Sequence, residues 1–154
     1  MKLLVQVTPE QTSLILPFVK DVSFSMNGLT FILLSYIVIV GSSNAVNLTD
    51  GLDGLVTVPV AITLSFFLLL ILWIQPSFMV KLPDDQMNNV AHLILLIIGG
   101  CLGFLYFNLY PAKIFMGDIG SLALGGLLGI LSILLKAEFF LAMAGLIFVI
   151  ETVS

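Results

Sequence analysis

The chain has 154 residues, of which 60% are hydrophobic and only 9% are charged, and its formal net charge is −4. Soluble domains ordinarily carry about 25% charged residues, so this composition excludes an ordinary water-facing surface and indicates a membrane protein. All five basic residues are lysines, which excludes the basic surface of a nucleic-acid-binding protein.

Apolar segments, taken in chain order, predict four membrane-spanning helices and the beginning of a fifth. A crossing helix needs about 20 apolar residues, so residues 3–12 are predicted to form a short extramembrane strand or hairpin arm, and 14–18 to rest at the interface. The four spans are predicted at 29–46, 55–74, 90–110 and 119–135. The fifth begins at Phe139 and has not ended where the sequence stops at Ser154, which indicates a truncated chain or a fragment. The predicted fold is an all-α, multi-span transmembrane helix bundle, a single but partial membrane domain over 1–154.

Two pairs of glycines lie four residues apart inside the predicted spans, Gly99 with Gly103 and Gly125 with Gly129. Small residues at this spacing let helix backbones approach closely in lipid. Both pairs are therefore predicted to be helix–helix contacts. Cys101 is the single cysteine and lies within an apolar run, so it is predicted to be a packing residue.

Two polar segments are predicted to lie on the same side of the membrane. Segment 44–54 follows the first span and 111–118 follows the third, so two crossings separate them. The polar segments predicted on the opposite side are 20–21, 76–89 and 136–138. Lysine counts do not orient the chain by the positive-inside rule, since Lys113 is the only lysine on the motif side.

The first polar segment, 44–54, contains two amides, a hydroxyl and two carboxylates at a predicted membrane boundary. Polar groups there are costly unless they bind a ligand or contact water. Asn47, Asp50 and Asp53 are spaced three residues apart, which puts neighbouring members on one face of a helical turn. Gly51 and Gly54 would permit close approach of a ligand to the backbone. A solvated turn with an aspartate cap is the structural alternative.

The second polar segment, 108–121, contains Asp118 immediately before the fourth span, where the helix dipole favours a carboxylate. A simple helix cap would explain that residue in isolation. Together, however, the two segments supply three carboxylates on one face: Asp50, Asp53 and Asp118. Carboxylates with phosphate oxygens and water are the ligands that Mg²⁺ prefers, so the pattern predicts an Mg²⁺-bridged pyrophosphate and phosphoryl transfer.

Three other polar features are weaker candidates. Asp84 and Asp85 form an acidic pair, and His92 follows them, but all three are predicted on the side opposite Asp118. We interpret them as a solvated loop and an interfacial or packing residue. Glu151 is predicted inside the fifth span, where a carboxylate is a functional candidate by default; packing against a polar partner is equally open.

Segment 44–54 reads NAVNLTDGLDG and 104–126 reads FLYFNLYPAKIFMGDIGSLALGG. Both segments, together with 16–22 and 148–152, resemble the phospho-N-acetylmuramoyl-pentapeptide-transferases, a family of polyprenyl-phosphate sugar-1-phosphate transferases. The resemblance implies Mg²⁺-dependent transfer of phospho-MurNAc-pentapeptide from UDP-MurNAc-pentapeptide to undecaprenyl phosphate, forming lipid I and UMP in peptidoglycan synthesis. It further implies a multi-pass protein of the bacterial plasma membrane with cytoplasmic motif loops, and it leaves homodimerisation open.

The resemblance also implies roles for individual residues. Asp118 would bind Mg²⁺, and Asp50 and Asn47 would complete the catalytic part of the site. The uridine-diphosphate pocket would be formed by Gly51, Leu52, Asp53, Asn108 and Phe115. Asn108 and Phe115 would contact the uracil ring, the latter by stacking.

The chain departs from this family in what it lacks. The family has more spans, with paired aspartates and a lysine before this region and a histidine-rich cytoplasmic loop after it. Asp84, Asp85 and His92 do not replace those groups, because they are predicted on the wrong side. We therefore expect the purified chain alone to be inactive; lipid I formation without a complementing fragment would contradict this expectation.

Two other functions stay open from the sequence. A related transferase acting on UDP-GlcNAc shares the N-x-x-D-G-x-D-G element, although the wording of 115–126, FMGDIGSLALGG, favours the muramoyl-pentapeptide enzymes. A small transporter or channel subunit would use Asp50, Asp53 and Asp118 to line a cation path. That function requires acidic residues at mid-membrane depth, whereas these three are predicted at span ends.

Overall fold

The structure is a computed structural model that describes residues 13–15, 23–51, 54–74 and 84–153. Its first elements are two short strands, β1 (Ser13–Ile15) and β2 (Ser23–Ser25), which pair antiparallel with Ser13 opposite Ser25. The strand predicted over 3–12 lies outside the described residues. The observed hairpin instead includes part of the segment predicted to rest at the interface.

The other regular elements of the described chain are helices, and the prediction of a membrane helix bundle is confirmed. The helices are α1 (Gly28–Thr49), α2 (Thr57–Leu69), α3 (Asp84–Asn108), α4 (Gly117–Leu134) and α5 (Glu138–Val153). A π-helical segment, Leu70–Ile74, continues α2. Among the described residues, α1, α3 and α4 are long and apolar enough to cross a membrane, while the apolar helix over Thr57–Trp73 is shorter.

The first helix begins where the chain provides a cap. The Asn27 carboxamide oxygen accepts hydrogen bonds from the Thr30 backbone N–H at 2.8 Å and from its hydroxyl at 2.7 Å. An asparagine in this position satisfies one of the backbone donors that the first helical turn leaves free. The cap places the start of α1 one residue before the predicted span.

Helices α1 and α4 approach each other through glycine, as predicted for Gly125 and Gly129. A Cβ atom added at Gly125 would lie 2.5 Å from the Ser42 carbonyl oxygen and 2.7 Å from the Ser43 Cα. One added at Gly129 would lie 2.8 Å from the Ile39 Cα. The close approach allows Ser42 Oγ to donate a hydrogen bond to the Gly125 carbonyl at 2.8 Å.

The same prediction is wrong for Gly99 and Gly103 within the part of the chain that the structure describes. A Cβ atom added at either position would meet nothing within 4 Å. Helix α3 instead packs through a different face, on which Ala91, Ile94 and Cys101 are buried. The spacing of the glycines was right for packing, but no described helix lies against that face. Burial of Cys101 confirms its predicted packing role.

The core of the bundle is apolar, and much of its outer surface is apolar as well. Val60, Leu64 and Phe67 of α2 are fully buried, while Leu96 of α3 and Trp73 are 75% and 84% exposed. Large apolar side chains exposed in such number suit a hydrocarbon environment, where they face lipid tails.

The turn between α4 and α5 is more buried than the sequence indicated. Lys136 and Glu138 are 3% and 7% exposed, although 136–138 was predicted to be a polar segment outside the spans, on the side opposite the motifs. The Lys136 ammonium lies 4.8 Å from the centroid of the Phe31 ring, an attractive cation–π distance. Burial lowers the pKa of Lys136, and the nearby Glu138 carboxylate opposes that shift.

Candidate active site

The two polar motifs meet at one end of the bundle through Asn47, in the last turn of α1. Its side-chain NH₂ group donates to Ser121 Oγ at 2.9 Å and to Asp118 Oδ1 at 3.3 Å, both in the first turns of α4. The prediction that these segments lie together is confirmed for the described residues. Ser121 is fully buried and was missed by the sequence analysis, although its position three residues after Asp118 puts it on the same helical face.

Asp50 ends α1 and lies beside the start of α4. Burial raises the pKa of Asp50, hydrogen bonding with the Gly117 backbone opposes that shift, and the negative charge of Asp118 raises it further. Two carboxylates therefore share one small region, and their mutual repulsion disfavours the charged form of Asp50.

A glycine at position 117 is what allows this backbone geometry. Gly117 has φ = +69°, a left-handed conformation that residues with a Cβ atom rarely adopt. The chain enters α4 through this residue, so that Asp118 lies in the first helical turn and the Gly117 backbone lowers the pKa of Asp50 through hydrogen bonding. Substitution at this position would strain the turn on which both carboxylates depend.

Asn108 holds the loops of the site together. This residue ends α3 and is 3% exposed. Its carboxamide oxygen accepts from the Gly54 N–H at 2.9 Å, and its NH₂ group donates to the Ile114 carbonyl at 2.8 Å. Both ends of the amide are therefore bonded to backbone in this structure. The predicted contact of Asn108 with uracil stays a prediction beside this structural role.

The connection between α3 and α4 contains Phe115, the residue predicted to stack on uracil. It contains a cis peptide bond between Tyr110 and Pro111, and the Lys113 N–H donates to the Phe107 carbonyl at 2.8 Å. The side chain of Phe115 is 73% exposed. An exposed ring on a hydrogen-bonded loop beside Asp118 is available to stack on a planar ligand.

The remaining predicted residues are placed less completely. Gly51 is exposed, and a Cβ atom there would meet nothing within 4 Å; Leu52 and Asp53 lie outside the described residues. In the described ranges, no three His, Cys, Asp or Glu side chains come close enough to hold a metal ion. The described carboxylate pair is thus Asp50 and Asp118, and the third predicted carboxylate is not placed.

The weaker candidates do not join this site. Asp85 and His92 lie in the N-terminal half of α3, at the end of the bundle away from Asn108, as predicted. Glu151 lies in α5, and its side chain is outside the described part of the structure.

Removing the Asn108 amide should destabilise the site end of the bundle. Asn108→Ala would leave the buried Gly54 N–H without its acceptor and the Ile114 carbonyl without its donor. An unsatisfied buried group such as the Gly54 N–H costs about 1–3 kcal/mol, and the part-buried Ile114 carbonyl costs less, so we expect a total loss of about 2–3 kcal/mol. Thermal or denaturant unfolding in detergent micelles would measure it.

Asn44→Ala is the matched control for that substitution. Asn44 is exposed, and among the described residues its NH₂ group bonds to the Val40 carbonyl, one turn earlier in α1, at 2.8 Å. This variant should change the unfolding free energy by less than about 1 kcal/mol. Equal destabilisation by both substitutions would argue against a special role for Asn108.

The sequence model of glycosyl transferase family 4 matches residues 1–136. The chain belongs to glycosyl transferase family 4. The matched range contains both polar motifs and the whole of α1 to α4. Family 4 comprises polyprenyl-phosphate sugar-1-phosphate transferases, so the chain is a membrane-integrated transferase of that class.

Membership in family 4 and the geometry together disfavour a transporter or channel subunit. That function requires carboxylates at mid-membrane depth. Asp50 instead caps the end of α1 and Asp118 lies in the first turn of α4. Both described carboxylates of the site are thus at helix ends, where a ligand can approach from the aqueous side.

Proposed function

We propose that the chain carries the Mg²⁺- and UDP-binding part of a phospho-N-acetylmuramoyl-pentapeptide-transferase. The reaction moves phospho-MurNAc-pentapeptide from UDP-MurNAc-pentapeptide to undecaprenyl phosphate and releases UMP. The observation that carries this proposal is the meeting of the two motifs, in which Asn47 bonds to Asp118 at 3.3 Å and Asp50 lies beside them. The residues of 115–126 favour the muramoyl-pentapeptide donor over UDP-GlcNAc.

The described carboxylates fit Mg²⁺. This ion takes one or two carboxylates and completes its shell with water and phosphate oxygens, so Asp118 with Asp50 nearby is a sufficient protein contribution. Burial and the charge of Asp118 raise the pKa of Asp50, and a divalent cation bound nearby would lower it by favouring the charged carboxylate. When bound, Mg²⁺ would neutralise charge on the diphosphate and stabilise the departing UMP.

In this proposal Asn47 positions the metal ligand. Its NH₂ group donates to Asp118 Oδ1 at 3.3 Å, and in this proposal Asp118 Oδ2 would face the cation. Buried Ser121 fixes the Asn47 amide in turn, because it accepts a hydrogen bond from the same NH₂ group at 2.9 Å. Hydrogen-bond partners of metal ligands orient those ligands and increase metal affinity.

The nucleotide would lie across the two loops. Phe115 would stack on uracil, and the bare backbone of Gly51 would let the diphosphate approach closely. We propose that Leu52 and Asp53 complete this pocket and that Asn108 supports it by holding Gly54 and Ile114. The site would face the cytoplasm of a bacterial cell, where nucleotide sugars are found.

Ligand binding by the purified chain in lipid nanodiscs tests this proposal. Isothermal titration with UDP-MurNAc-pentapeptide should show binding in Mg²⁺ that EDTA abolishes and that added Mg²⁺ restores. UDP-GlcNAc titrated under the same conditions should bind more weakly. Tighter binding of UDP-GlcNAc would support the related transferase instead. If neither nucleotide sugar bound with Mg²⁺ present, the proposed function would be wrong.

A further inference from the structure

Lys113 is the one basic side chain that the structure describes at the site end of the bundle. Lys136, the other described lysine, is buried at the opposite end against Phe31. Lys113 is exposed and lies in the connection between α3 and α4, five residues before Asp118. In the described part of the chain, no carboxylate forms an ion pair with it. Among the residues that the structure describes, the charge of Lys113 therefore does not stabilise the fold through an ion pair.

The backbone that carries this lysine is held on both sides. The Lys113 N–H donates to the Phe107 carbonyl at 2.8 Å, and the next residue, Ile114, accepts from the buried Asn108 amide at 2.8 Å. The same Asn108 bonds to Gly54 at 2.9 Å, so the loop bearing Lys113 is tied to the segment that follows α1. The Lys113 side chain thus extends from a backbone that hydrogen bonds hold at the site end of the bundle.

We propose that the Lys113 ammonium binds a phosphate group of a substrate. This inference rests on the proposed function, in which both substrates carry phosphate. The described acidic groups here, Asp50 and Asp118, would repel that phosphate, so cations must offset them. Lysine is suited to this because it is a compact charge with three donors on a flexible stem. Mg²⁺ held by the carboxylates and Lys113 from the adjacent loop would then approach the phosphate from two directions.

Two substrate phosphates fit this chemistry, and the surroundings of Lys113 admit both. Tyr110 is 87% exposed and Ile114 is 42% exposed, so large apolar side chains flank the lysine at the end of a membrane span. A phosphate carried on a polyprenyl chain would meet such a surface at the bilayer interface. The diphosphate of the nucleotide donor would reach the same ammonium from the side of Asp118 and Phe115.

Binding measurements on Lys113→Gln and Lys113→Arg in the full chain test the inference. The probes are UDP in Mg²⁺ and a short-chain polyprenyl phosphate, with the neutral polyprenol as a reference. A charge-assisted hydrogen bond that is lost should weaken binding of one phosphate probe about tenfold in Lys113→Gln. Lys113→Arg should keep the affinity within about threefold, and polyprenol binding should not change. Raised salt should also weaken phosphate binding more in the unsubstituted chain than in Lys113→Gln.

The outcomes separate this inference from the proposed function. Weaker UDP binding alone assigns Lys113 to the donor, and weaker polyprenyl phosphate binding alone assigns it to the acceptor. If the unsubstituted chain binds both probes and Lys113→Gln binds them equally well, the inference is wrong while the proposed function stands. Equal loss of polyprenol and polyprenyl phosphate binding would also overturn it, because the effect would then not depend on phosphate. If the unsubstituted chain binds neither phosphate probe, both proposals fail together.

Discussion

Replacing Asp118 with asparagine is expected to abolish Mg²⁺-dependent binding of UDP by the chain, weakening it about 100-fold or more. Asparagine keeps an oxygen that can accept from the Asn47 amide, a bond of 3.3 Å in the structure, so the junction of α1 and α4 should survive. The substitution removes the negative charge that would hold Mg²⁺ in the proposed function. Changes to groups that merely support a metal ligand already cost about 10- to 100-fold in affinity, and a direct ligand should cost at least as much. Titration of UDP in Mg²⁺ and in EDTA would measure the effect.

Asp85→Asn is the control for the Asp118 substitution. Asp85 is an exposed carboxylate in the first turn of α3, so it has the same helical environment as Asp118 but lies at the opposite end of the bundle. This variant should bind UDP as the unsubstituted chain does. Retention of Mg²⁺-dependent binding in Asp118→Asn would exclude Asp118 as the metal ligand.

Replacing Gly125 with leucine is expected to separate α1 from α4 and to destabilise the chain by about 3 kcal/mol or more. The first side-chain atom would lie 2.5 Å from a backbone oxygen of Ser42 and 2.7 Å from the Ser43 Cα, so neither neighbour can rotate away. Excess volume in a packed interior typically costs about 1–3 kcal/mol, and a clash with backbone belongs at the upper end. Unfolding in detergent would measure the loss. Mg²⁺-dependent UDP binding should fall with it, because the same helix pair brings Asn47 to Asp118.

The adjacent glycine supplies a matched control. A Cβ atom at Gly126 would meet nothing within 4 Å, so Gly126→Leu adds the same side chain to the same helix without the clash. Its unfolding free energy should stay within about 1 kcal/mol of the original value. Similar losses in the two variants would show that leucine is harmful along α4 generally, and that the close contact with α1 is not the cause.

Long apolar runs made the helix bundle predictable, but the helix bounds depend on more than hydropathy. The third span was predicted from residue 90, whereas α3 begins at Asp84. Five of the six residues 84–89 are polar, so a hydropathy pattern assigns the segment to a loop. The helix nevertheless extends through them, since acidic side chains in a first turn are favoured by the helix dipole. The pattern therefore located the membrane-crossing part of α3 and not its whole length.

Spacing predicted the glycine contacts only in part, because it does not say which face has a neighbour. Gly125 and Gly129 lie against α1, whereas Gly99 and Gly103 have the same spacing and no described helix beside them. Two glycines four residues apart indicate that another helix can approach closely on that face. Whether another helix occupies that side is a property of the whole arrangement.

The candidate site was predictable where its residues are close in sequence, and less so where they are far apart. Asn47, Asp50 and Asp118 were found from motif composition and from counting crossings, and the structure brings them together. The structural role of Asn108 was not predicted, because one of its partners, Gly54, is 54 residues away in the chain. No local pattern reveals which distant backbone group a buried amide will meet.

Helices α1 and α4 contact each other at points one helical turn apart. Ser43 Oγ donates to the Leu122 carbonyl at 2.8 Å, and one helical turn further along each helix, in opposite directions, Asn47 meets Asp118. Deleting a single residue between Ser43 and Asn47 would turn the Asn47 side chain about 100° around α1 and move it about 1.5 Å along the axis. The position of Asn47 relative to the Asp118 carboxylate is thus set by the rotation and axial position of α1 against α4.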